Sequence, residues 1–417
     1  MMSEATKFTP ILLGSDMNVY GMARGFYEAY GIKSIAYASD QLAPTRYSKI
    51  VEVRLVHDFH DDPVFIETMR KLQKEVFNDP EGKYLLVACG DGYAELLAKH
   101  KEELSEHFLF AANDYDLFKK LSNKVSFYET CEEYQLPYPK TMIITKDMVQ
   151  DGKLDRALPF DFPVALKPAN SVEWLDIHFE GRKKAFIIDN LTEFNVILNR
   201  LYEAGYTSEM IAQDFIPGDD SNMRVLNAYV DQNGNVRFMF LGHPLLEDPT
   251  PASVGNYVVI VPDEDEGIYQ TIKAFLQKIN YRGFANFDLK YDTRDGIFKL
   301  FEINLRQGRS SFFVTLNGFN LATFVAEDRV FNTPFEATRY GRKKAANAKV
   351  WLGVPKKIFE EYAVDSPDKR YAEELLAKGR WGTTVFYDKD RSLQRWVLMK
   401  YMFYNYYKRF KTYFSVK

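Results

Sequence analysis

Hydrophobic and polar positions in the N-terminal quarter of the chain alternate between short apolar runs and longer amphipathic stretches. The apolar runs have the length of strands, and the amphipathic stretches have the period of helices packed on one face. Strand, helix and strand in this order indicate a parallel sheet with helices on its faces. The predicted strands cover residues 10–14, 33–38, 51–56 and 83–89, and the predicted helices cover residues 19–30, 63–77 and 93–100.

Polar turns follow two of these strands, at Gly14-Ser15-Asp16 and at Gly90-Asp91-Gly92. The carboxyl ends of parallel strands are where such sheets bind ligands. The turns do not form a dinucleotide fingerprint, and the chain has no Walker-type phosphate loop. Tight turns alone are the alternative explanation of these glycines.

The pattern changes in the middle of the chain. Two consecutive helices are predicted at residues 113–121 and 124–134, and a strand follows at residues 140–144. Beyond residue 160 the sequence is rich in strands, which indicates an α+β region with antiparallel sheets. The strands predicted there are 164–167, 185–188, 211–215, 223–230, 236–241 and 257–261, with helices at 191–204 and 266–279.

A hairpin is predicted from two strands, residues 284–291 and 298–303, joined by the turn 293–296. Side chains alternate across a strand, so Glu302 and Asn304 project from one face. If the hairpin is symmetric about Asp295, Asp288 lies opposite Glu302. Two carboxylates and an amide oxygen form the kind of ligand set that Mg²⁺ prefers. A solvated hairpin face with ordinary polar residues is the alternative.

Composition narrows the class of protein. The chain has 417 residues, 46% of them hydrophobic, which predicts two to four globular units. A net charge of −4 gives no case for nucleic-acid binding, and the two cysteines match neither a disulfide framework nor a zinc site. We find no signal peptide and no apolar run long enough to span a membrane. The expected location is cytoplasmic.

Three further segments carry charge in a suggestive order. Lys124 begins a helix, Lys167 ends an apolar strand just before Pro168, and residues 213–220 lead from a strand into an acidic turn. A lysine that closes a buried strand needs a partner, which a phosphate would provide. Taken alone, a lysine at the start of a helix, such as Lys124, is usually a solvated surface residue.

Taken together with the hairpin, this order resembles the ATP-grasp superfamily over residues from about 8 to 330. The resemblance implies an α/β and α+β architecture: an N-terminal parallel-sheet (pre-ATP-grasp) domain, two α+β subdomains that clamp ATP, and a C-terminal aromatic and basic extension. The corresponding boundaries are residues 1–113 for the first domain, 114–205 for the small subdomain, 206–335 for the large subdomain with the metal site, and 336–417 for the extension.

The resemblance also implies roles for single residues. Lys124, Lys167 and Ser171 match phosphate-binding positions, although the segment around Ser171 lacks the usual glycines. Gln213, Asp214 and Ile216 match the hinge that meets adenine, and Asp220, with Asp219 as a rival, matches the ribose-binding acid. Asp288, Glu302 and Asn304 match the magnesium triad for one or two ions. Arg306 matches the arginine that steadies the transferred phosphate.

The reaction implied by the resemblance is the ATP-dependent joining of a carboxylate to an amine through an acyl phosphate. Arg309 and Arg224 are candidates for binding a substrate carboxylate, and His243, in a polar segment after a strand, could reach substrate. Structural ion pairs and a structural histidine are the alternatives. Within the superfamily the chain is most similar to D-aspartate ligases, which act on a peptidoglycan precursor. Another ATP-grasp ligase and a non-catalytic nucleotide-binding protein remain as alternatives.

The C-terminal stretch gives a separate prediction about partners. Residues 391–417 contain seven Lys or Arg, nine aromatic residues and no acidic residue. This composition fits a helix on an anionic membrane surface, a groove for a large anionic substrate, or a helix that packs its aromatics on the nucleotide domain. The expected partners are a small amino acid, a larger amine acceptor from the cell wall, and a second copy of the chain in a homodimer. No nucleic acid is expected.

Overall fold

The computed structural model describes residues 8–77, 82–150, 154, 158–170, 173–253 and 255–414. The chain divides into two compact units. The larger unit consists of Met1–Phe118, Met223–Asp288 and Ile303–Lys417, and the smaller unit of Lys119–Asn222 and Leu289–Glu302. Both strands of the predicted hairpin are therefore shared between the units. The four-part division predicted from the sequence remains a prediction.

The larger unit begins with the predicted parallel sheet, in the strand order β3-β2-β1-β4. Gly14 follows β1 with φ +113°, a left-handed conformation that favours glycine, and Asp16 then caps α1 by accepting from the amides of Asn18 and Val19. The elements are β1 (Phe8–Leu13), α1 (Met17–Tyr30), β2 (Ser34–Ala38), β3 (Val51–Leu55), α2 (Asp62–Phe77), β4 (Lys83–Ala88), α3 (Asp91–Lys99), α4 (Lys101–Ser105) and α5 (Tyr115–Ser122), the last of which runs across the division.

The smaller unit contains a four-stranded antiparallel sheet in the order β5-β8-β6-β7. Apolar side chains of β6, β8 and the helix α9, including Leu166, Phe194 and Leu198, form its core. The elements are α6 (Lys124–Glu133), β5 (Thr141–Ile144), α7 (Lys146–Gln150), β6 (Val164–Pro168), α8 (Glu173–Asp176), β7 (Phe186–Ile188), α9 (Leu191–Glu203) and β8 (Met210–Asp214).

A second sheet crosses the larger unit, and its three central strands are buried along most of their length. Strand β10 (Val236–Glu247) pairs with β9 (Met223–Val230) and β11 (Tyr257–Asp263) in antiparallel fashion. Strand β11 pairs in turn with β15 (Val350–Leu352) of the C-terminal extension. The elements are β9 (Met223–Val230), β10 (Val236–Glu247), β11 (Tyr257–Asp263), α10 (Glu266–Lys278), β12 (Gly283–Asp292), β13 (Ile297–Asn304), α11 (Phe312–Leu316) and α12 (Leu321–Arg329).

The structure corrects the end of β10. We expected His243 to lie in a polar segment after a strand, but β10 continues to Glu247, and His243 lies inside this strand and is buried. The register shifts at Pro244/Leu246, so an irregularity in the pairing accommodates a proline that would otherwise argue against a central strand.

The C-terminal extension is part of the larger unit. Its elements are β14 (Arg339–Tyr340), β15 (Val350–Leu352), α13 (Lys356–Tyr362), α14 (Pro367–Ala377), β16 (Trp381–Gly382) and α15 (Leu393–Tyr413). One face of α15 is buried, through Arg395, Met399, Phe403, Tyr406 and Phe410. No helix among the described residues is long and apolar enough to cross a membrane.

Arg395 attaches α15 to the N-terminal sheet. Its Nε lies 3.1 Å from Asp390 Oδ2, with the two side chains 3% and 0% exposed. Its guanidinium lies 4.0 Å from the centroid of the Tyr20 ring and donates to the Pro44 carbonyl over 2.7 Å. Asp390 also accepts from the Tyr20 hydroxyl and the Lys49 amide. Every charge in this pair is therefore matched inside the protein.

We expect Asp390→Ala to lower the free energy of unfolding by about 3–5 kcal/mol, because it leaves the buried Arg395 guanidinium without its carboxylate. Denaturant unfolding measures the change. Asp388→Ala is the matched control: Asp388 pairs with Arg391 at the surface, where such pairs contribute little. Equal effects of the two substitutions would contradict the structural role of Asp390.

Candidate active site

The smaller unit brings together the two predicted phosphate-binding lysines and Glu302. The Lys167 ammonium donates to the Tyr128 hydroxyl over 3.0 Å and lies 5.4 Å and 5.7 Å from the ring centroids of Tyr128 and Phe301. The Tyr128 hydroxyl in turn donates to the Phe301 carbonyl over 2.8 Å. Lys167 is therefore held against an aromatic surface and away from full hydration.

The charges of this cluster do not balance. Burial lowers the pKa of Lys167 to about 8, and Glu302 opposes that shift. Burial, followed by the repulsion of Lys167, lowers the pKa of Lys124. Two ammonium groups thus share one nearby carboxylate, and each would be stabilised by a further anion. A polyphosphate has the required charge.

The predicted hinge residues lie on β8 and just beyond it. Gln213 is buried and its amide donates to the Thr141 hydroxyl over 2.8 Å. The Asp214 carboxylate accepts two bonds from Arg294, both of 2.8 Å, and the Ile216 carbonyl accepts from Lys290 over 2.8 Å. These contacts fix the segment that leaves the sheet, while its role toward adenine remains a prediction.

Ser171 and Asp220 are the other two predicted nucleotide contacts. Ser171 lies outside the described residues. Asp220 begins a short 3₁₀ turn, Asp220–Asn222, and the structure describes only its backbone. The neighbouring Asp219 carboxylate accepts from the Ser221 amide, a bond that caps the turn. The choice between the two acids as a ribose ligand stays open.

The larger unit holds four other predicted site residues, which are Asp288, Asn304, Arg306 and Arg309. Arg306 reaches Asp91 Oδ2 over 2.7 Å and Asn304 Oδ1 over 3.4 Å, and its Nε is buried without a hydrogen-bond partner among the described residues. Arg309 lies 3.4 Å from the Tyr406 hydroxyl. Asp288, Asn304, Arg306 and Arg309 are all partly buried. Arg306 thus keeps an unmet donor beside an amide oxygen of the predicted metal set.

Residues that the sequence did not single out lie around these arginines. Asn18, at the start of α1, donates to the Cys89 carbonyl over 3.0 Å, and the Gln307 amide donates to the Cys89 sulfur over 3.1 Å. The side-chain oxygens of Asn18 and Gln307 are buried and have no partner in the described part of the chain. Burial raises the pKa of Asp16, against the opposing charges of Arg306 and Arg309.

The polar turns after β1 and β4 are the sequence signal that points to Asp16 and Asp91. The sequence placed ligand binding at Gly14-Ser15-Asp16 and at Gly90-Asp91-Gly92, and Asp16 and Asp91 come from these two turns. What the sequence could not supply is the pairing of Asp91 with Arg306, because the two residues are 215 positions apart.

Arg224 and His243, the predicted substrate contacts, belong to a buried ionic network. Arg224 Nε lies 2.6 Å from Asp263 Oδ2, and His243 Nδ1 lies 3.0 Å from Asp368 Oδ2. Lys343 joins the two halves, at 3.2 Å from Asp263 and 2.8 Å from Asp368. Burial lowers the pKa of His243, so its ring is neutral near pH 7. The prediction that His243 lies at a strand end was wrong. The network connects the C-terminal extension, through Lys343 and Asp368, to the second sheet of the larger unit.

Comparison with known proteins gives both the fold and the family. No protein-family model matches the chain. Among solved structures, N5-carboxyaminoimidazole synthetase from Staphylococcus aureus, complexed with ADP, matches with a TM-score of 0.57 at 13% identity, over 82% of this chain and 81% of that one. The biotin carboxylase domain of the Hydrogenobacter thermophilus 2-oxoglutarate carboxylase, with MgADP, matches with a TM-score of 0.55 at 14% identity, over 77% of this chain and 70% of that one.

These similarities show that the chain has the ATP-grasp fold, as the sequence predicted. A curated D-aspartate ligase from Enterococcus faecium (strain Aus0004) is 69% identical over 414 residues, covering 99% of this chain and 98% of that protein. The chain belongs to the D-aspartate ligase family. The predicted class of enzyme, an ATP-dependent carboxylate–amine ligase, is confirmed.

The depressed pKa of Lys167 predicts a trade between stability and function. Its folded pKa of about 8 lies below the usual lysine pKa of 10.5, so the folded state is penalised most below pH 8 and least above pH 10.5. We expect Lys167→Met to raise the free energy of unfolding at pH 7 by about 1–3 kcal/mol, with a smaller gain near pH 10, and to weaken nucleotide binding.

Denaturant unfolding at the two pH values and nucleotide titration calorimetry check this prediction. Lys140→Met is the control, because Lys140 is exposed and should change neither quantity. A loss of stability at pH 7 in Lys167→Met, equal at both pH values, would contradict the charge argument.

Proposed function

We propose that this enzyme activates D-aspartate with ATP and joins it to the side-chain amine of a lysine in a peptidoglycan precursor. Family membership supports the choice of amino acid, since the curated relative is named for D-aspartate. The observation that carries the ATP-dependent part is the pair of lysines, Lys124 and Lys167, whose pKa values are lowered by burial against the opposing charge of Glu302. A bound triphosphate completes this charge balance.

The chemistry follows from the poor electrophilicity of a carboxylate. Transfer of the γ-phosphoryl group to the substrate carboxylate forms an acyl phosphate, and the bond from that phosphorus to the bridging oxygen of ADP breaks. The amine then attacks the acyl carbon and phosphate leaves. Lys124, Lys167 and Arg306 are proposed to bind the phosphate oxygens and to stabilise the charge that shifts during the transfer.

The donor set of the hairpin suits magnesium. Asp288, Glu302 and Asn304 offer two carboxylates and an amide oxygen, and hard divalent cations prefer oxygen ligands. These three residues are proposed to hold one or two Mg²⁺ ions, which would neutralise phosphate charge when bound. The solved relative with MgADP supports the pairing of metal and nucleotide in this fold.

The amino acid brings two carboxylates, and only one of them is activated. The other needs a fixed cation, and Arg309, which lies 3.4 Å from the neutral Tyr406 hydroxyl, is the proposed group. Arg224 is a weaker choice, because Asp263 already engages its guanidinium. The partners are thus a small amino acid and a larger amine acceptor. Homodimer formation and peripheral contact with a membrane surface also remain proposals.

A phosphate-release assay tests the substrate assignment. We expect phosphate only when ATP, Mg²⁺, D-aspartate and a lysine-containing wall precursor are all supplied, with L-aspartate and D-glutamate as matched alternatives. Turnover with another amino acid but not with D-aspartate would overturn the substrate. No turnover with any pair would overturn the ligase itself and favour a non-catalytic nucleotide-binding protein.

Neutralising one carboxylate of the hairpin tests the metal site. We expect Asp288→Asn and Glu302→Gln each to lower turnover by about 10²–10³-fold, a loss comparable to that of one electrostatic group in other active sites. The Mg²⁺ concentration needed for half-maximal rate should rise as well. Asp295→Asn is the control on the same hairpin, since Asp295 lies in the turn and pairs with Lys299. An unchanged Mg²⁺ requirement in both site variants would contradict the assignment.

A further inference from the structure

The outward face of α15 carries aromatic and basic side chains, although its opposite face is buried in the larger unit. Trp396, Tyr401 and Tyr404 are 50%, 63% and 69% exposed. The same face includes further exposed apolar residues and lysines. These are Leu393, Val397, Lys400, Tyr407, Lys408 and Lys411.

A solvent-facing helix surface normally mixes charges of both signs and avoids large apolar side chains. Here the helix has 21 residues, which corresponds to a length of about 30 Å, and no carboxylate occurs anywhere along it. Two cations near its ends already have carboxylate partners from other parts of the chain, because Arg395 pairs with Asp390 and Arg409 with Asp248. Lys400, Lys408 and Lys411 are the exposed cations of this face.

A groove of about 680 Å³ lies along the same helix. Trp381, Phe386 and Lys356 contribute to its walls together with Trp396 and Lys400 from α15. The Lys400 ammonium lies 5.3 Å and 5.7 Å from the ring centroids of Phe386 and Trp396. The one carboxylate among the lining residues, that of Asp390, is buried and paired with Arg395. The groove therefore continues the aromatic and basic character of the helix face.

We infer that this face of α15 docks on an anionic membrane surface. Tryptophan and tyrosine are the residues that favour the boundary between water and lipid, and lysines beside them contact lipid phosphates. The face runs the length of the 21-residue helix, which suits an extended surface better than a single small ligand. Pairing of two copies through this face would bring their lysines together, and like charges would oppose it.

The inference goes beyond the proposed function, since it concerns where the enzyme works and not what it joins. Docking would bring the enzyme close to any substrate that is attached to the membrane. The catalytic residues proposed above are not on α15, so loss of docking and loss of ligation can be measured separately.

Vesicle co-sedimentation of the full chain tests the inference. We expect binding to phosphatidylcholine vesicles that contain phosphatidylglycerol, and much weaker binding to phosphatidylcholine alone. Replacing Lys400, Lys408 and Lys411 with Gln should weaken binding on the order of a hundredfold, from about fivefold per cation. Val397→Ser, Tyr401→Ser and Tyr404→Ser together should weaken it on both vesicle types. Salt near 1 M, where the screening length is about 3 Å, should weaken the lysine-dependent part.

Tyr47→Ser with Leu55→Ser is the matched control, because both side chains are similarly exposed elsewhere on the larger unit. Phosphate release with soluble substrates should be unchanged in all these variants, which separates this inference from the proposed function. Failure of the unaltered chain to bind anionic vesicles would overturn it. So would a dimer in light scattering that the aromatic substitutions convert to a monomer, because a second copy would then be the partner.

Discussion

The partial burial of two lysines, Lys124 and Lys167, is the constraint on which the candidate site depends. Burial lowers the pKa of both lysines, the charge of Lys167 lowers that of Lys124 further, and Glu302 opposes both shifts. A protein selected for stability alone would neutralise or remove one of these cations. Their retention in the smaller unit is explained if an anionic ligand contributes the missing charge during each catalytic cycle.

The charged residues of the larger unit also differ in how completely their side chains are paired. Arg237 and Asp231 are buried and bonded to each other, and Arg395 and Asp390 have several partners each. Arg306, by contrast, keeps a buried Nε with no partner among the described residues. By this criterion Arg224, held by Asp263, belongs with Arg237 and Arg395, although the sequence named both Arg224 and Arg309 as candidates for binding a substrate carboxylate.

Local pattern was enough to predict most of the fold, because the strands and helices are marked by periodicity and by turns. The hairpin strands fall within one residue of the prediction at each end, as Gly283–Asp292 and Ile297–Asn304. The error at β10 arose because Pro244 ends a strand in most contexts, whereas the irregular pairing here lets the strand continue. Asn18 and Gln307 could not be found, since only the folded chain brings positions 289 apart together.

The C-terminal helix shows why composition alone could not decide between the alternatives. An aromatic and basic helix can bury its rings or present them, and residues 391–417 contain enough aromatics for both. The buried salt bridge of Arg395 fixes which face turns inward, because its guanidinium is bonded to Asp390 and stacked on Tyr20. Once that face is fixed, the helical period leaves Val397, Tyr401 and Tyr404 on the outside. Packing therefore explains the buried rings of Phe403, Tyr406 and Phe410, whereas it does not explain the exposed rings of Tyr401 and Tyr404.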